Sequence, residues 1–273
     1  MMESGIAQMH RCTDAQTKDT SYPSEGHDAC FAVEDNSFWF RHRNNCITAV
    51  VASYPPGNND TIFDIGGGNG FVSLKLADSG FNVALVEPGK AGASNAKRRG
   101  LSNVICATTD TAKFKQHSLP AVGLFDVIEH IDDDLAFLKS IRELMKKNAP
   151  LYVTVPSYSF LWSAEDVFAG HFRRYNLDGI SNVLQLAGFQ VEFSSCIFRF
   201  LPVPVFLLRT LPYKLGLSKT KRGTSRTISR DHAVKGGIMV NILDSILQSE
   251  VKNLNNRKAM SFGGSCLIVA KKP

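Results

Sequence analysis

The sequence predicts an α/β protein with a mostly parallel sheet, and two observations support that prediction. In residues 61–77, a short apolar run leads into three alternate glycines and then into a helical apolar pattern. Further apolar runs alternate with helical segments, as is typical of parallel strands joined by helices. The predicted strands cover residues 61–64, 82–86, 104–106, 121–128, 151–155, 191–193 and 266–270.

The N-terminal part of the chain divides into a polar stretch and a helix. Residues 1–36 are rich in Ser, Thr, Asp and Gln without an apolar period, so we expect a loose polar leader. A helix is predicted from Phe38 to Val51, because the sequence Tyr-Pro-Pro-Gly at 54–57 ends it. Residues 37–273 are then expected to form one domain, which the length of 273 residues permits.

The glycine loop has the spacing Asp64-x-Gly66-x-Gly68-x-Gly70. A dinucleotide-binding loop has the spacing G-x-G-x-x-G, and counting from Gly66 its third glycine would fall at position 71, which is Phe71. The loop therefore favours a ligand that needs close backbone approach without a pyrophosphate on the helix N-terminus. An ordinary tight turn between strand and helix is the alternative.

A second acidic residue favours a ligand-binding loop. Glu87 follows the strand 82–86 and lies 21 positions after Gly66. An acidic side chain at the tip of the second strand, about 20 residues after the loop, is placed to bind ribose hydroxyls. The next helix, 91–99, ends at Gly100, and the third strand leads to Asp110.

The second half of the sheet carries polar residues at its strand ends. The run 121–128 is apolar apart from Asp126, as expected for a strand buried on both faces, and Glu129 and His130 follow it. Acidic residues at 132–134 suit the start of a helix that runs to Met145. After the strand 151–155, the long connection 157–175 is rich in aromatic residues, His and Arg, and connections at this edge commonly carry function.

The chain ends with a helix, two strands and an insertion between those strands. Asn176 is placed to cap a helix that ends near Gly188, before the strand 191–193. The insertion 198–262 contains a helix from Ile238 to Val251, for which we expect one side to carry Ile238, Ile242, Ser245, Ile246 and Ser249.

Composition narrows the functional classes. Hydrophobic residues at 44% and charged residues at 21% are ordinary for a soluble globular protein. The six cysteines form no C-x-x-C pair, which argues against a zinc site and a disulfide framework, so no metal is expected. No apolar run reaches the roughly 20 residues that span a bilayer, and no signal pattern opens the chain, so we expect a cytoplasmic location.

The charge is unevenly distributed along the chain. From Arg199 onward there are 14 Lys and Arg residues against three acidic residues, although the whole chain carries only +6. Such a stretch favours an anionic partner, and we expect 198–235 to lie on an anionic membrane surface or to grip an acidic or lipid-linked acceptor. A solvated basic loop is the alternative.

Three motifs together resemble those of class I S-adenosylmethionine (SAM) methyltransferases: Asp64–Gly70, Glu87, and Phe125-Asp126 with Glu129-His130. They are similar to those of the ubiquinone and menaquinone biosynthesis branch. The resemblance covers about 37–197 and 263–272, and implies a Rossmann-like seven-stranded sheet of order 3-2-1-4-5-7-6 with the last strand antiparallel. It also implies an N-terminal cap helix. The insertion 198–262 departs from the compact enzymes of that branch.

The resemblance implies SAM as the cofactor and assigns residues to it. The glycine loop and Glu87 bind its methionyl and ribose parts, Asp110 lies near the adenine, and Phe125 lies beside the methionyl part. The cofactor residues expected are Asp64, Gly66, Gly68, Gly70, Glu87, Asp110 and Phe125. Trp39 and Arg43 in the cap helix are expected to face the substrate, and the connection 157–175 adds Tyr158, Trp162, Arg174 and Tyr175.

Two histidines compete for the role of catalytic base. His171 lies in the connection 157–175 beside Arg173 and Arg174, and histidine titrates near neutral pH as a general base should. Its alternative role is to cap the helix that begins near Asn176 or to bind a buried carbonyl. His130, at the end of the fourth strand, is the second candidate.

The function expected is SAM-dependent methyl transfer to a small-molecule or lipid-like acceptor. A nicotinamide-dependent oxidoreductase is the alternative enzyme, disfavoured by Phe71, and a non-catalytic SAM-binding or membrane-associating module is the third possibility. A nucleic-acid substrate is disfavoured, because no N-P-P-Y-type motif follows the fourth strand. The acceptor atom and the oligomeric state are left open.

Overall fold

The computed structural model describes residues 30–217 and 238–273, and its centre is a seven-stranded sheet. The strand order is 3-2-1-4-5-7-6, with β7 antiparallel to both neighbours and the remaining pairs parallel, so the predicted topology is confirmed. The strands are β1 Thr61–Ile65, β2 Asn82–Val86, β3 Val104–Ile105, β4 Ala121–Phe125, β5 Pro150–Pro156, β6 Gln190–Ile197 and β7 Ser265–Lys271.

The described helices cover both faces of the sheet. They are α1 Phe38–Ser53, α2 Phe71–Asp78, α3 Lys90–Arg98, α4 Asp134–Leu144, α5 Ala164–Ala169, α6 Leu177–Leu186, α7 Pro202–Val205, α8 Leu211–Lys214 and α9 Ile238–Asn255. A π-helical stretch, Phe206–Thr210, joins α7 to α8. Short 3₁₀ turns occupy Glu34–Asn36, Ile128–His130 and Ser159–Leu161. None of the described helices is both long and apolar enough to cross a membrane.

Two apolar clusters form the core, one on each face of the sheet. Leu138 and Ile141 of α4 and Ile180 and Leu184 of α6 pack with strand residues on one face. On the other face α1, α2 and α9 meet, through residues that include Cys46, Ile47, Val50, Leu76 and Leu254. Both faces of the central strands are thus covered, and the carboxyl edge of the parallel strands is left for a ligand.

The helix caps follow the sequence closely. Asp133 Oδ1 accepts a hydrogen bond from the Ala136 amide at 2.9 Å, and Asn176 Oδ1 accepts one from the Gly179 amide at 2.7 Å. These contacts satisfy N–H groups that have no partner within the helix. The caps predicted for α4 and α6 are therefore confirmed.

Two strands differ in length from their predictions. β4 ends at Phe125 rather than at residue 128, because Asp126 adopts a left-handed backbone (φ 56°) and the chain turns into the 3₁₀ segment. β6 extends to Ile197, beyond the predicted 191–193, since Ser194 and Ser195 pair with β7 although they interrupt the apolar pattern.

The predicted leader is too long, because the part from residue 30 packs on the domain. Glu34 is buried, forms an ion pair with Arg99 at 2.6 Å and accepts a hydrogen bond from Asn69 Nδ2 at 3.3 Å. The Arg99 guanidinium also lies 4.4 Å from the ring centre of Phe31. An ion pair and a cation–π contact hold this stretch on the domain. Because neither contact requires a repeating apolar pattern, the sequence of the stretch shows none. Residues 1–29 of the predicted leader lie outside the described residues.

The buried side of α9 also differs from its prediction. Ser245, Ile246 and Ser249 are exposed, and the packed side carries Leu247, Glu250 and Leu254. The side chains of Ile238 and Ile242 lie outside the described residues. The apolar pattern predicts the wrong side of α9, because an acidic residue lies at the centre of the side that is buried.

Glu250 connects the insertion to the core of the sheet domain. Its carboxylate is fully buried, contacts His42 Nε2 at 2.8 Å and accepts hydrogen bonds from the amides of Phe198 at 2.8 Å and Arg199 at 2.7 Å. Burial alone would raise the pKa of Glu250, but these hydrogen bonds outweigh it and lower that pKa below its usual value. One carboxylate thereby joins α1, the start of the insertion and α9.

We expect Glu250→Ala to lower the free energy of unfolding by about 3–5 kcal/mol, because it leaves His42 and two buried N–H groups without their acceptor. Urea unfolding of the purified protein measures this. Asp244→Ala, on an exposed position of the same helix, is the matched control and should stay within about 0.5 kcal/mol. Equal losses in the two variants would contradict the role given to Glu250.

Candidate active site

A cleft of about 1550 Å³ opens at the carboxyl edge of the parallel strands. One small ligand usually occupies roughly 300–1,000 Å³, so this cleft has room for two ligands side by side. Ten of the residues predicted from the sequence line it: Trp39, Arg43, Asp64, Gly66, Gly68, Glu87, Phe125, His130, His171 and Arg174.

The glycine loop turns sharply between β1 and α2. Gly66, Gly68 and Gly70 have φ values of 74°, 54° and 77°, a region that residues with a Cβ rarely adopt. A Cβ on Gly67 would lie 2.8 Å from Asp64 Oδ2, so the loop is also too crowded for a side chain there. The backbone of the loop is consequently exposed to a ligand in the cleft.

Glu87 holds the loop from the tip of β2. Its Oε2 accepts a hydrogen bond from the Gly68 amide at 2.9 Å, and its Oε1 accepts one from the Gly89 amide at 2.6 Å. Burial raises the pKa of Glu87, and the two hydrogen bonds offset part of that rise. Each carboxylate oxygen has a further lone pair, so Glu87 can still accept from a ligand hydroxyl.

Asp64, near the end of β1, contacts the helix that follows the loop. The side chain is buried, and Ser73 Oγ of α2 donates a hydrogen bond to Asp64 Oδ2 at 2.6 Å. Burial raises the pKa of Asp64 to about 6, despite the hydrogen bond from Ser73. Asp64 therefore ties β1 to α2 underneath the backbone that faces the cleft.

Two predicted cofactor residues do not line the cleft. Gly70 begins α2, and a Cβ there would come within 2.9 Å of Ala96 and 2.6 Å of Leu101, so it allows the loop to pack on α3. Asp110 is exposed on the turn after β3, and Thr108 lines the cleft in its place.

Arg43 of the cap helix α1 is fixed at the end of β4. Its Nε lies 2.7 Å from Asp126 Oδ2, and its Nη2 donates a hydrogen bond to the Phe125 carbonyl at 3.1 Å. The guanidinium lies 5.5 Å from the ring centre of Trp39, which also lines the cleft. Sequence reasoning did not assign Asp126 to the site, although its position at a strand end was the signal.

His171 is oriented by a carboxylate that sequence reasoning did not assign. Its Nδ1 lies 2.8 Å from Asp166 Oδ1, and Arg174 Nε lies 2.7 Å from the same oxygen. Burial would raise the pKa of Asp166, but the hydrogen bonds from His171 and Arg174 lower it to about 2. An ionised carboxylate only accepts hydrogen bonds, so Nδ1 of His171 must be the donor and Nε2 of the neutral ring is left as an acceptor.

His130 lies beside His171, with ring centres 4.8 Å apart in an edge-to-face arrangement. Burial lowers the pKa of His130 to about 4, and the neighbouring His171 adds to that shift. A group with so low a pKa is a weak base at neutral pH. The ring of His171, in turn, is oriented by a buried carboxylate, Asp166.

Three predicted substrate residues point elsewhere. The Tyr175 hydroxyl donates to Asp134 Oδ2 at 2.6 Å and its ring is in the core. The Tyr158 hydroxyl donates to the Ser261 carbonyl at 3.1 Å, outside the cleft lining, and Trp162 does not line the cleft either. Loop residues without a periodic pattern gave no signal for the direction of their side chains.

The chain was compared with known proteins. Residues 39–193 match a family described as a methyltransferase domain, which is more than half of the chain. No curated protein matches the chain.

Several solved structures share the fold. A SAM-dependent methyltransferase from Thermotoga maritima is 17% identical, with 91% of this chain and 95% of that chain covered and a TM-score of 0.56. Phosphoethanolamine N-methyltransferase 2 from Haemonchus contortus, solved with SAM, is 18% identical over 93% of this chain and 58% of that chain, also with a TM-score of 0.56. A geranyl diphosphate methyltransferase is 15% identical, with 82% of this chain and 75% of that chain covered and a TM-score of 0.51.

At these identities the structural likenesses show the fold, and the family match shows the class. Nothing in the comparisons selects the ubiquinone and menaquinone branch within that class. Together with the seven-stranded sheet and the glycine loop at its carboxyl edge, they show that the chain belongs to the methyltransferase-domain family and is a class I SAM-dependent methyltransferase.

Proposed function

We propose that the protein transfers the methyl group of SAM to an oxygen or nitrogen of a small-molecule or lipid-like acceptor, with His171 as the base. The observation that carries this proposal is that two sets of residues line one cleft. The first is the glycine loop with Glu87, and the second is His171, whose ring is oriented by Asp166. SAM supplies an electrophilic methyl group, and the remaining requirement is to align the acceptor and remove its proton.

The cofactor would lie along the glycine loop. The Glu87 carboxylate would accept hydrogen bonds from the ribose hydroxyls, and the exposed backbone of Gly66 and Gly68 would approach the methionyl part. Phe125, at the end of β4, would lie beside that part and close to the acceptor.

His171 would take the acceptor's proton at Nε2. The new bond forms between the acceptor atom and the methyl carbon, and the electron pair of the broken carbon–sulfur bond stays on sulfur to give S-adenosylhomocysteine. Asp166 keeps Nδ1 protonated and stabilises the imidazolium that forms. Since Asn176 itself caps α6, the alternative in which His171 caps that helix is not needed.

The acceptor is proposed to be lipid-like because apolar side chains surround the mouth of the cleft. Leu208 lines the cleft and is 76% exposed, and Phe172, on the connection before α6, also lines it and is 50% exposed. Val203, Leu207, Leu215 and Leu217 are exposed on the same insertion segment. Exposed apolar patches of this kind mark interaction surfaces, including those for membranes.

Charge supports an anionic surface as the partner. Lys214 lies on the insertion segment, and the sequence 218–235, outside the described residues, carries six Lys and Arg residues against one acidic residue. Each cation near an anionic membrane contributes roughly 1 kcal/mol. Structural neighbours that include a phosphoethanolamine and a geranyl diphosphate methyltransferase suggest that the fold suits phosphorylated acceptors. We therefore propose peripheral contact with an anionic membrane.

For the cofactor, we expect Glu87→Ala to weaken SAM binding by about 1–3 kcal/mol through lost hydrogen bonds, and Gly68→Val to abolish it. Isothermal calorimetry with SAM, and with NAD for comparison, measures both. Gly80→Val is the control for Gly68, since Gly80 also has a positive φ (91°) but has open space around it. Tight NAD binding without SAM binding would contradict the proposal.

For the base, we expect His171→Ala to lower turnover by about 100-fold or more and to leave SAM affinity nearly unchanged. Asp166→Asn should also lower turnover, because an amide no longer fixes the imidazole tautomer. The control is His117→Ala, on an exposed position that does not line the cleft. If His171→Ala lost only about 1 kcal/mol of stability and kept its turnover per folded molecule, His171 would have a structural role alone.

For the membrane contact, we expect the wild type to co-sediment with vesicles that contain phosphatidylserine at low salt and to dissociate at high salt. Leu208→Asp should reduce the bound fraction by about tenfold, because it places a carboxylate in the contact surface. Leu186→Asp, at an exposed leucine of α6 that does not line the cleft, is the matched control. An absence of binding at low salt would exclude this surface.

A further inference from the structure

Glu129 is a buried acid that the proposed mechanism does not use. The side chain lines the cleft and is 1% exposed, and its Oε2 has no hydrogen-bond partner among the described residues. Among the buried carboxylate oxygens of the described cleft residues, only Asp64 Oδ1 shares this lack of a partner, and the Asp64 side chain is bound through its other oxygen by Ser73 Oγ. Because buried polar groups are almost always paired, a group without a partner in a cleft indicates a ligand contact.

Glu129 lies next to the proposed base. It belongs to the 3₁₀ turn at the end of β4, and its carbonyl accepts a hydrogen bond from the Phe172 amide at 2.8 Å, which joins this turn to the connection that carries His171. Glu129, His130 and His171 each have one side-chain oxygen or nitrogen atom that lies within 4.8 Å of those of the other two. A group bound by Glu129 would therefore be a neighbour of the atom that gives its proton to His171.

The surrounding charges favour an uncharged partner for Glu129. The charged and titratable groups that face it are Asp126, which is paired with Arg43, Arg174, which is paired with Asp166, and the two imidazoles of His130 and His171. The nearby guanidinium groups of Arg43 and Arg174 disfavour a bound cation such as an ammonium group. Burial, with the nearby Asp126, raises the pKa of Glu129 well above its usual value, which favours the neutral carboxyl.

We propose that Glu129 binds the methyl acceptor, its neutral carboxyl donating a hydrogen bond to an acceptor oxygen that neighbours the atom receiving the methyl group. The inference rests on the proposed function and specifies the acceptor: it carries a hydroxyl, carbonyl or ether oxygen beside the nucleophile. Glu129 acts by holding this oxygen, while His171 receives the proton.

The test compares two variants of different chemistry in the full-length protein. The probes are a total lipid extract and a water-soluble extract, each incubated with labelled SAM. Glu129→Gln keeps a neutral hydrogen-bond donor of the same size, so we expect its kcat/KM on the labelled fraction to stay within about threefold of wild type. Glu129→Ala loses the donor, and we expect at least a 30-fold drop with SAM affinity unchanged.

The outcomes separate this inference from the proposed function. If wild type labels neither extract, the proposed function fails and this inference fails with it. If wild type is active and Glu129→Gln loses as much as Glu129→Ala, an ionised carboxylate is required, and the neutral-donor role is overturned while methyl transfer stands.

Thermal unfolding with S-adenosylhomocysteine bound gives a second test that needs no acceptor. Because the folded-state pKa is raised, the protonated Glu129 stabilises the fold fully below the unfolded value near 4.5, and this stability is lost as the pH rises through the folded value. We expect Glu129→Gln to gain Tm relative to wild type as the pH rises above the unfolded value of 4.5. A variant less stable than wild type at every pH would show that the carboxylate serves the fold, which overturns the inference.

Discussion

The Glu87 carboxylate and the two backbone amides that donate to it determine the shape of the cofactor half of the cleft. The amide of Gly68 belongs to the loop between β1 and α2, and the amide of Gly89 belongs to the loop between β2 and α3. One side chain therefore holds two loops at the edge of two neighbouring strands. Since the loop glycines adopt conformations closed to other residues, the fold and the binding surface depend on the same few backbone atoms.

The acceptor half of the cleft is organised by paired charges. Arg43 with Asp126, and Arg174 with Asp166 and His171, bring charged side chains from the cap helix, the β4 edge and the connection before α6 to one place. Ion pairs of this burial add little net stability, but removing one partner is costly, so their geometry is fixed. His171 and Glu129 lie among these pairs, and we propose that both contact the acceptor.

The insertion connects this site to the proposed membrane-contact surface through one buried carboxylate. Glu250 of α9 binds His42 of the cap helix and the backbone at the start of the insertion. The segment that carries Leu208 at the cleft mouth begins three residues after the last of these amides. The apolar rim is therefore attached to the same helix that presents Arg43 to the site.

The sequence, with its resemblance to class I methyltransferases, predicted the fold and part of the proposed cofactor site, although Gly70 and Asp110 do not line the cleft. The glycine loop and Glu87 follow from local spacing, because each lies at the end of an apolar run, whereas the strand order follows from the family resemblance. The acceptor half was predictable only in part. His171 and Arg174 were predicted to belong to the site, but their partner Asp166 was not. Glu129 was recognised as part of a motif, but its burial was not predicted.

The wrong assignments share one physical cause. Arg174 and Tyr175 are consecutive, yet one contacts Asp166 in the cleft and the other contacts Asp134 in the core. In a connection without helical or strand periodicity, tertiary contacts decide which side chain faces the ligand. The buried side of α9 was missed for a related reason, since its central residue, Glu250, is charged and is buried only because partners from distant elements surround it.

A crystal structure with S-adenosylhomocysteine tests the central claim most directly, because it shows where the sulfur lies relative to the acceptor half of the cleft. The account predicts ribose hydroxyls within hydrogen-bonding distance of Glu87, and a sulfur atom directed toward the space between His171 and Glu129. A ligand bound away from the glycine loop, or a sulfur directed away from His171, would contradict it.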